Sequence, residues 1–272
     1  MPTPLEFLKN TSVIIVTGGS SGIGNSIIKA LFKLVPAATI CNLSRTKPDY
    51  FFNEPQFVHL PTDLSDSASV ASVTEQLNRI LSEAEAGEVL LFNNSGFGDY
   101  GYLQVRDHSK QLNMIDLNIR AVVDLTGRLL PQMLERGGCI INIASIAGFQ
   151  PTPYMATYGA TKAFVLNWTL ALGEDLRETK VRTLAVCPGP TQSNFFRIAG
   201  FERPPMNRGI NKAFGMKSED VAILTLQALA SGQSLLITGW KNKLIAFFGS
   251  KCPIVLVTRI GAFLLKKMRL KG

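Results

Sequence analysis

Residues Thr11–Gly24, TSVIIVTGGSSGIG, decide the fold. The first half is a β-branched apolar run without polar alternation, the pattern of a strand buried on both faces of a parallel sheet. It runs directly into Gly18-Gly19-Ser20-Ser21-Gly22-Ile23-Gly24, and a helix-like segment follows from Asn25 to Leu34. The glycines permit a tight turn and let backbone N–H groups approach an anion at the N-terminus of that helix. Strand, glycine-rich turn and helix in this order predict a dinucleotide-binding unit.

Working outward, strands are predicted at Ala38–Leu43, Gln56–Leu60, Glu88–Phe92, Cys139–Ala144, Val181–Cys187 and Ser234–Thr238. Helical patterns lie between them at Ser67–Glu83, Asp107–Glu135, from Tyr158 to about Arg177, and Val221–Ser231. The alternation predicts an α/β protein: a doubly wound parallel sheet in a three-layer α/β/α sandwich, one domain over residues 1–240. A chain of 272 residues suits one domain with a large core, and 46% apolar against 18% charged residues excludes a disordered chain. The opening MPTPLEFLKNTS has no basic region followed by an apolar block, so no secretory leader is expected. Cys41, Cys139, Cys187 and Cys252 are far apart and read as core thiols of a reducing compartment, which predicts a cytoplasmic protein. With His59 and His108 also far apart, no metal site is expected.

The net charge of +8 is concentrated at one end. From Lys241 onward there are eight Lys or Arg and no Asp or Glu, so residues 1–240 balance 20 basic against 20 acidic residues. A nucleic-acid partner is therefore not expected. In residues 241–272 the apolar runs Leu244–Phe248 and Ile254–Leu265 are broken by Lys251, Pro253 and Arg259, and neither reaches the roughly 20 residues that span a bilayer. Two readings of this extension stand: a basic helix packed on a partner subunit or over a substrate mouth, or a peripheral contact with an anionic membrane surface.

The chemistry-bearing stretch is Ser145–Lys162, SIAGFQPTPYMATYGATK. Tyr158 and Lys162 are four residues apart and share one helix face. An ammonium beside a phenol is expected to lower its pKa from about 10, which suits proton transfer to or from an alcohol oxygen. Alone the pair is common, and equally describes an ordinary tyrosine and an exposed lysine. Asn118 sits among Ile115, Leu117, Ile119 and Val122, where its amide is either satisfied in the core or holds a water near a site. Ser44-Arg45-Thr46 ends the second strand, where an arginine without an acid favours a ribose 2′-phosphate, hence NADP(H) over NAD(H). Asp63 meets an adenine amino group, or Ser65 and Asp66 simply start the next helix. Asn93-Asn94-Ser95-Gly96 either holds a turn or lines the cofactor. After Pro188-Gly189-Pro190, residues 191–217 lack a clean period and read as a substrate lid. Phe149, Pro151, Met155, Phe195 and Phe196 wall an apolar pocket or pack core and lid.

Taken together these motifs resemble the short-chain dehydrogenase/reductase family, single-domain branch, over residues 11–240. Thr17–Gly24 looks like its TGxxxGIG loop, and Asn93–Gly96 looks like its NNAG motif with Ser95 in place of Ala. Asn118, Ser145, Tyr158 and Lys162 match its catalytic set in order and spacing, and Pro188-Gly189 matches its PG motif, with Ser193 standing for a threonine. The resemblance implies a Rossmann fold whose cofactor meets Gly18, Ser20, Ser21, Gly22, Ile23 and Gly24 of the loop. It also implies contacts from Ser44, Arg45, Asp63, Leu64, Asn94, Ser95 and Gly96, and near the nicotinamide from Tyr158, Lys162, Pro188, Gly189, Thr191 and Ser193. It implies that Tyr158 gives a proton to a carbonyl oxygen held by Ser145 while the nicotinamide delivers hydride. Lys162 would tune the phenol and hold the ribose, and Asn118 a water. The expectation is an NADPH-dependent reductase of a hydrophobic ketone or aldehyde, or the reverse dehydrogenase, assembled as a homodimer or homotetramer. A membrane-peripheral lipid or steroid ketoreductase and a non-catalytic NADP-binding regulator are the alternatives. The complete set of four speaks against the second.

Overall fold

Strand β1 (Thr11–Thr17) shows why the sheet is covered on both sides: Ile14 and Val16 join one apolar cluster, Val13 and Ile15 the opposite one. The structure, a computed structural model, describes residues 8–48, 54–201 and 215–269, the last three without side chains. After β1 come α1 (Gly22–Leu34), β2 (Thr39–Ser44), β3 (Phe57–Pro61), α2 (Ser67–Glu83), β4 (Glu88–Asn93) and α3 (His108–Ile115). A π turn (Asp116–Arg120) leads to α4 (Ala121–Arg136), β5 (Gly138–Ile143), α5 (Ala156–Asp175) and β6 (Val181–Cys187). The described residues end with α6 (Ser218–Ala230), β7 (Leu235–Ile237), α7 (Trp240–Lys251) and α8 (Ile254–Arg269).

The seven strands lie in the order β3-β2-β1-β4-β5-β6-β7, every neighbouring pair parallel. Helices α1 and α6 cover one face through Ile27, Ile28, Leu31 and Leu226, and α2 and α4 cover the other through Val73, Leu77, Leu125 and Leu129. This is the doubly wound three-layer sandwich the alternation predicts. The strand order reverses between β1 and β4, which places a binding crevice outside their C-terminal ends. A buried polar seam fixes the neighbouring strands there. The Asn93 amide donates to Asn142 Oδ1 at 2.8 Å and Thr126 Oγ1 at 3.0 Å, and the Asn142 amide to Thr169 Oγ1 at 2.8 Å. Cys41, Cys139 and Cys187 are core thiols, each pushed up to about 12 by burial.

Several elements depart from the sequence expectation for local reasons. Helix α1 starts at Gly22, because the end of the glycine loop already forms its first turn. The helix expected over Asp107–Glu135 is interrupted by the π turn, whose extra residue turns Asn118 inward. Asp66 caps α2, accepting from the backbone N–H of Ser69 at 2.9 Å. Within 191–217, Thr191–Gln192 pairs with Met216–Lys217 and Phe195–Ile198 forms a short helix, while residues 202–214 of the expected lid lie outside the described residues. The C-terminal extension is two helices, parted at Cys252-Pro253 because proline cannot continue α7. The start of α7 belongs to the body: Asn242 is 2% exposed and packs on Gly189. Among the described residues no helix is long and apolar enough to cross a membrane.

Candidate active site

A cleft of about 430 Å³ opens at the strand ends, running from Arg45 past the glycine loop to Tyr158 and Phe195. Its floor is sewn together by backbone and short side chains. Thr17 Oγ1 accepts from the backbone N–H groups of Asn94 and Ser95, each at 2.9 Å, and the Asn94 amide donates to the Thr17 carbonyl at 2.8 Å. Gly18 takes a left-handed φ of 68°, which a side chain would strain. Gly24 lies so close that an added Cβ would sit 2.6 Å from the Gly18 carbonyl oxygen and 2.5 Å from Asn94 Nδ2. Gly24 therefore holds the loop's shape from behind rather than lining the cleft. Asn42, which the sequence reading passed over, accepts from the Gly19 N–H at 2.9 Å and anchors the same loop to β2.

Helix α1 begins in this floor at Ser21, which makes no side-chain cap, and its first turn has no acid. Its amides and partial positive charge thus face the cleft, the environment a phosphate needs. The Ser44 hydroxyl donates to the Thr46 carbonyl at 2.8 Å, closing the turn that presents Arg45 at the cleft's far end. Asp63 spends its carboxylate on its own turn, accepting from the Ser65 hydroxyl at 2.6 Å and the Ser65 N–H at 3.0 Å. The Ser65 hydroxyl is the chief cause that holds Asp63 below the ordinary carboxylate range. Leu64 lines the cleft beside it. These residues fit an extended ligand with phosphates: amide donors at the centre and a guanidinium at one end.

At the other end Ser145, Tyr158 and Lys162 converge. Ser145 ends the segment after β5, and its Oγ accepts from the Ala147 N–H at 3.1 Å. Tyr158 and Lys162 stand on the first turns of α5, with the Lys162 Nζ 6.0 Å from the centre of the Tyr158 ring and donating to the Ile143 carbonyl at 2.7 Å. Burial pushes the phenol up to about 12, with a hydrogen bond to Ser145 pulling the other way, and burial lowers Lys162 to about 8. The structure corrects the expectation that Lys162 draws the phenol down. Desolvation of the phenolate dominates, and the ammonium is aimed at a carbonyl. Tyr158 is a neutral phenol at pH 7.

Asn118 is satisfied by protein groups. Its amide donates to the Phe97 carbonyl and Thr161 Oγ1, each at 3.0 Å, and its Oδ1 accepts from the Phe97 N–H at 3.2 Å. It sits behind the cleft wall and holds the Gly96–Phe97 backbone against α5. An added Cβ on Gly96 would lie 3.0 Å from Asn118 Oδ1 and 3.3 Å from Lys162 Nζ, so these two groups flank one backbone atom. Pro188, Gly189, Thr191 and Ser193 form the cleft's opposite edge, with Ser193 facing Gly22.

The apolar wall is partly as expected. Met155, Phe195 and Phe196 line the cleft, and the Phe195 ring lies 5.1 Å from that of Tyr158. Phe149 does not line it, because its ring packs with Ala144, Val165, Leu166 and Cys187 between α5 and the sheet. Pro151 lies under α8, its carbonyl oxygen 4.0 Å from where a Gly261 Cβ would sit. Leu117, Asn113 and Ile198 also line the cleft, and nothing in their sequence spacing marks them.

The sequence reading also missed a charged knot beneath this wall. Asp99, 3% exposed, accepts from Arg106, from Lys110 Nζ at 2.7 Å and from Gln111 Nε2 at 2.7 Å, and Lys110 also donates to the Ile198 carbonyl at 3.2 Å. Burial alone would raise the Asp99 carboxyl, but hydrogen bonds from Arg106 and Lys110 outweigh it and hold it below the ordinary range. A depressed carboxyl stabilises the fold above its unfolded pKa, and that contribution is lost as the pH falls through the folded value. Asp99→Asn is expected to cost about 2 kcal/mol at neutral pH, lowering the melting temperature by about 5 °C. The loss is less than for a fully buried pair because Arg106 and Lys110 are 27% and 32% exposed and can rehydrate. Melts at neutral and acidic pH check it: the two proteins should converge as the pH falls.

Comparison with known proteins gives this geometry its context. The family described as short chain dehydrogenase matches residues 12–200. The chain belongs to the short-chain dehydrogenase family. It is thus an oxidoreductase of the class acting between CH–OH and C=O groups. Among curated relatives, a ketoacyl reductase, HetN, of Nostoc sp. is 28% identical over 245 residues, 81% of this chain and 84% of the relative. A very-long-chain 3-oxoacyl-CoA reductase of Anas platyrhynchos is 30% identical over 212 residues, 74% of this chain and 67% of the relative. A crystallised short chain dehydrogenase from Burkholderia cenocepacia, in complex with NADP, has the same fold, with a TM-score of 0.76 at 23% identity over 93% of this chain and 98% of that one.

Proposed function

We propose that this short-chain dehydrogenase is an NADPH-dependent reductase of a hydrophobic ketone or aldehyde, running in reverse on the alcohol, with Tyr158 as acid and base. The observation that carries the reading is the convergence of Ser145, Tyr158 and Lys162 at the apolar end of the cleft, where burial favours the neutral phenol. A nicotinamide supplies the hydride when bound. The glycine-loop amides and the start of α1 would hold the phosphates of the dinucleotide, while Ser44, Arg45, Asp63 and Leu64 would border its adenosine end. Asn94, Ser95, Gly96, Thr191 and Ser193 line the middle, and Lys162 with Pro188-Gly189 the reacting end.

Within that frame each side chain has one task. The phenol gives its proton to the carbonyl oxygen as negative charge develops there, and Ser145 donates a hydrogen bond to the same oxygen. Lys162, cationic below about pH 8, offsets the charge left on the tyrosine. Asn118 keeps Gly96–Phe97 against α5 so that this geometry persists. Met155, Phe195 and Phe196 exclude water from the reacting carbon. The two ketoacyl-type relatives support a ketone, so a long-chain 3-oxoacyl thioester is the first substrate to try. The same four residues count against a non-catalytic regulator, which needs none of them together. Phe164 and Trp168, stacked at 6.4 Å on the outer side of α5, support a homo-oligomer, which light scattering tests.

Two further outcomes follow. The kcat/KM for ketone reduction should be level below and fall above about pH 8, as Lys162 loses its proton, and Lys162→Met should remove that inflection. Arg45→Ala should lower kcat/KM with NADPH about 10- to 100-fold while leaving NADH rates nearly unchanged, the size of one charged hydrogen bond to a 2′-phosphate. Equal losses with both cofactors would argue against the assigned ribose contact.

A further inference from the structure

Helices α7 and α8 turn apolar faces outward. Trp240, Leu244 and Phe247 on α7, and Leu256, Ile260 and Phe263 on α8, recur at the same i, i+4, i+7 spacing, and each is 48–68% exposed. That spacing keeps each trio on one helix face. The opposite faces rest on the 150–153 segment, which leads into the cleft-lining Met155. An added Cβ on Gly249 would lie 2.4 Å from Gln150 Oε1, and one on Gly261 3.6 Å from Pro153 Cδ. The Tyr100 hydroxyl donates to the Leu265 carbonyl at 2.6 Å, while its ring packs in the cluster that holds Tyr158 and Met155. Lys243, Lys251, Arg259 and Lys266 are exposed alongside the apolar trios, and the sequence from Lys241 onward has no acid.

We propose that the α7–α8 hairpin docks the protein on an anionic lipid bilayer, with the apolar faces at the headgroup–acyl boundary and the cations among the headgroups. Charge selects this occupant over a second copy of the chain. A two-fold dimer sets one patch against itself, bringing cations onto cations with no carboxylate on the hairpin to answer them, whereas acidic lipid answers every one. Neither helix spans a bilayer. One consequence rests on the reductase reading above: Tyr100, which bonds α8 and packs in one cluster with the cleft-lining Met155 and Tyr158, sets the apolar end of the cleft near the lipid, so a long-chain ketone enters from the membrane.

Flotation of the full chain with vesicles tests the docking without any need for turnover. The protein should float with phosphatidylcholine vesicles containing phosphatidylglycerol, stay behind with phosphatidylcholine alone, and be released by high salt. Lys243→Glu/Lys251→Glu/Arg259→Glu should weaken partitioning by at least about 100-fold, since each cation near such a surface contributes roughly fivefold. Leu244→Ser/Phe247→Ser/Ile260→Ser should also abolish it. Both variants should keep the parent melting temperature, oligomeric state and rate on a short water-soluble ketone. The proposal is overturned if the parent protein does not float with the anionic vesicles, binds neutral vesicles equally, or binds as well with either triple substitution. Loss of a dimer in the variants without lipid binding by the parent would assign the face to a second copy. Normal flotation with no ketone turnover would sink the reductase reading and leave the docking standing.

Discussion

Tyr158→Phe should reduce the rate of ketone reduction about 10³-fold, the share of a well-placed general acid, and leave NADPH affinity within about twofold. The substitution deletes one oxygen from a buried ring. The ring itself packs against Phe195 at 5.1 Å and shares a cluster with Met155, Tyr100 and Met114, contacts that phenylalanine keeps. The wall of the cleft therefore survives, and what is lost is the proton. Because burial holds the phenol near 12, the parent enzyme carries that proton throughout the neutral range. Water cannot replace it readily in a pocket lined by Met155, Phe195 and Phe196. Initial rates followed by the absorbance of reduced nicotinamide give the first quantity, and fluorescence titration of NADPH gives the second. A rate within tenfold of the parent would remove Tyr158 from the mechanism.

Gly24→Ala should weaken NADPH binding more than about tenfold and destabilise the fold by about 2 kcal/mol, the usual scale of overpacking a rigid site. A methyl group there would press on the Gly18 carbonyl oxygen at 2.6 Å and on the Asn94 amide at 2.5 Å. The first neighbour is backbone and cannot rotate away. The second is committed to the Thr17 carbonyl at 2.8 Å. Relief therefore requires the glycine loop to move, and that loop carries the amides assigned to the phosphates. Calorimetric titration and thermal melts separate the two effects. Unchanged affinity in a folded variant would mean that the loop is not the phosphate cradle.

The sheet was legible because its physics is local. Runs such as Val13–Val16 and Leu184–Cys187 are apolar throughout, which only a strand covered on both faces tolerates. Tyr158, Lys162 and the glycine loop were legible for a similar reason, since helix spacing and turn chemistry are written in neighbouring residues. The misses share a different origin. Asp99 accepts from Arg106 and Lys110, and Lys110 also donates to the Ile198 carbonyl, in a knot that no short-range pattern announces. Phe149 is aromatic and near the site in sequence, yet the short 3₁₀ turn at Ile146–Phe149 directs it into the α5 core. The sense of the Tyr158 shift also depends on burial, which spacing does not reveal. The extension's two exposed faces follow from where Pro253 breaks it and from which sides Gly249 and Gly261 present to the 150–153 segment.

The most direct test of the central claim uses NADPH carrying two deuteriums at C4 of its dihydronicotinamide ring, incubated with a long-chain 3-oxoacyl thioester and a panel of apolar ketones. Mass spectrometry of the products is predicted to find one deuterium on the former carbonyl carbon per NADPH consumed, in the parent enzyme and at a rate about 10³-fold lower in Tyr158→Phe. NADPH that binds tightly but yields no labelled alcohol from any of these substrates would contradict it.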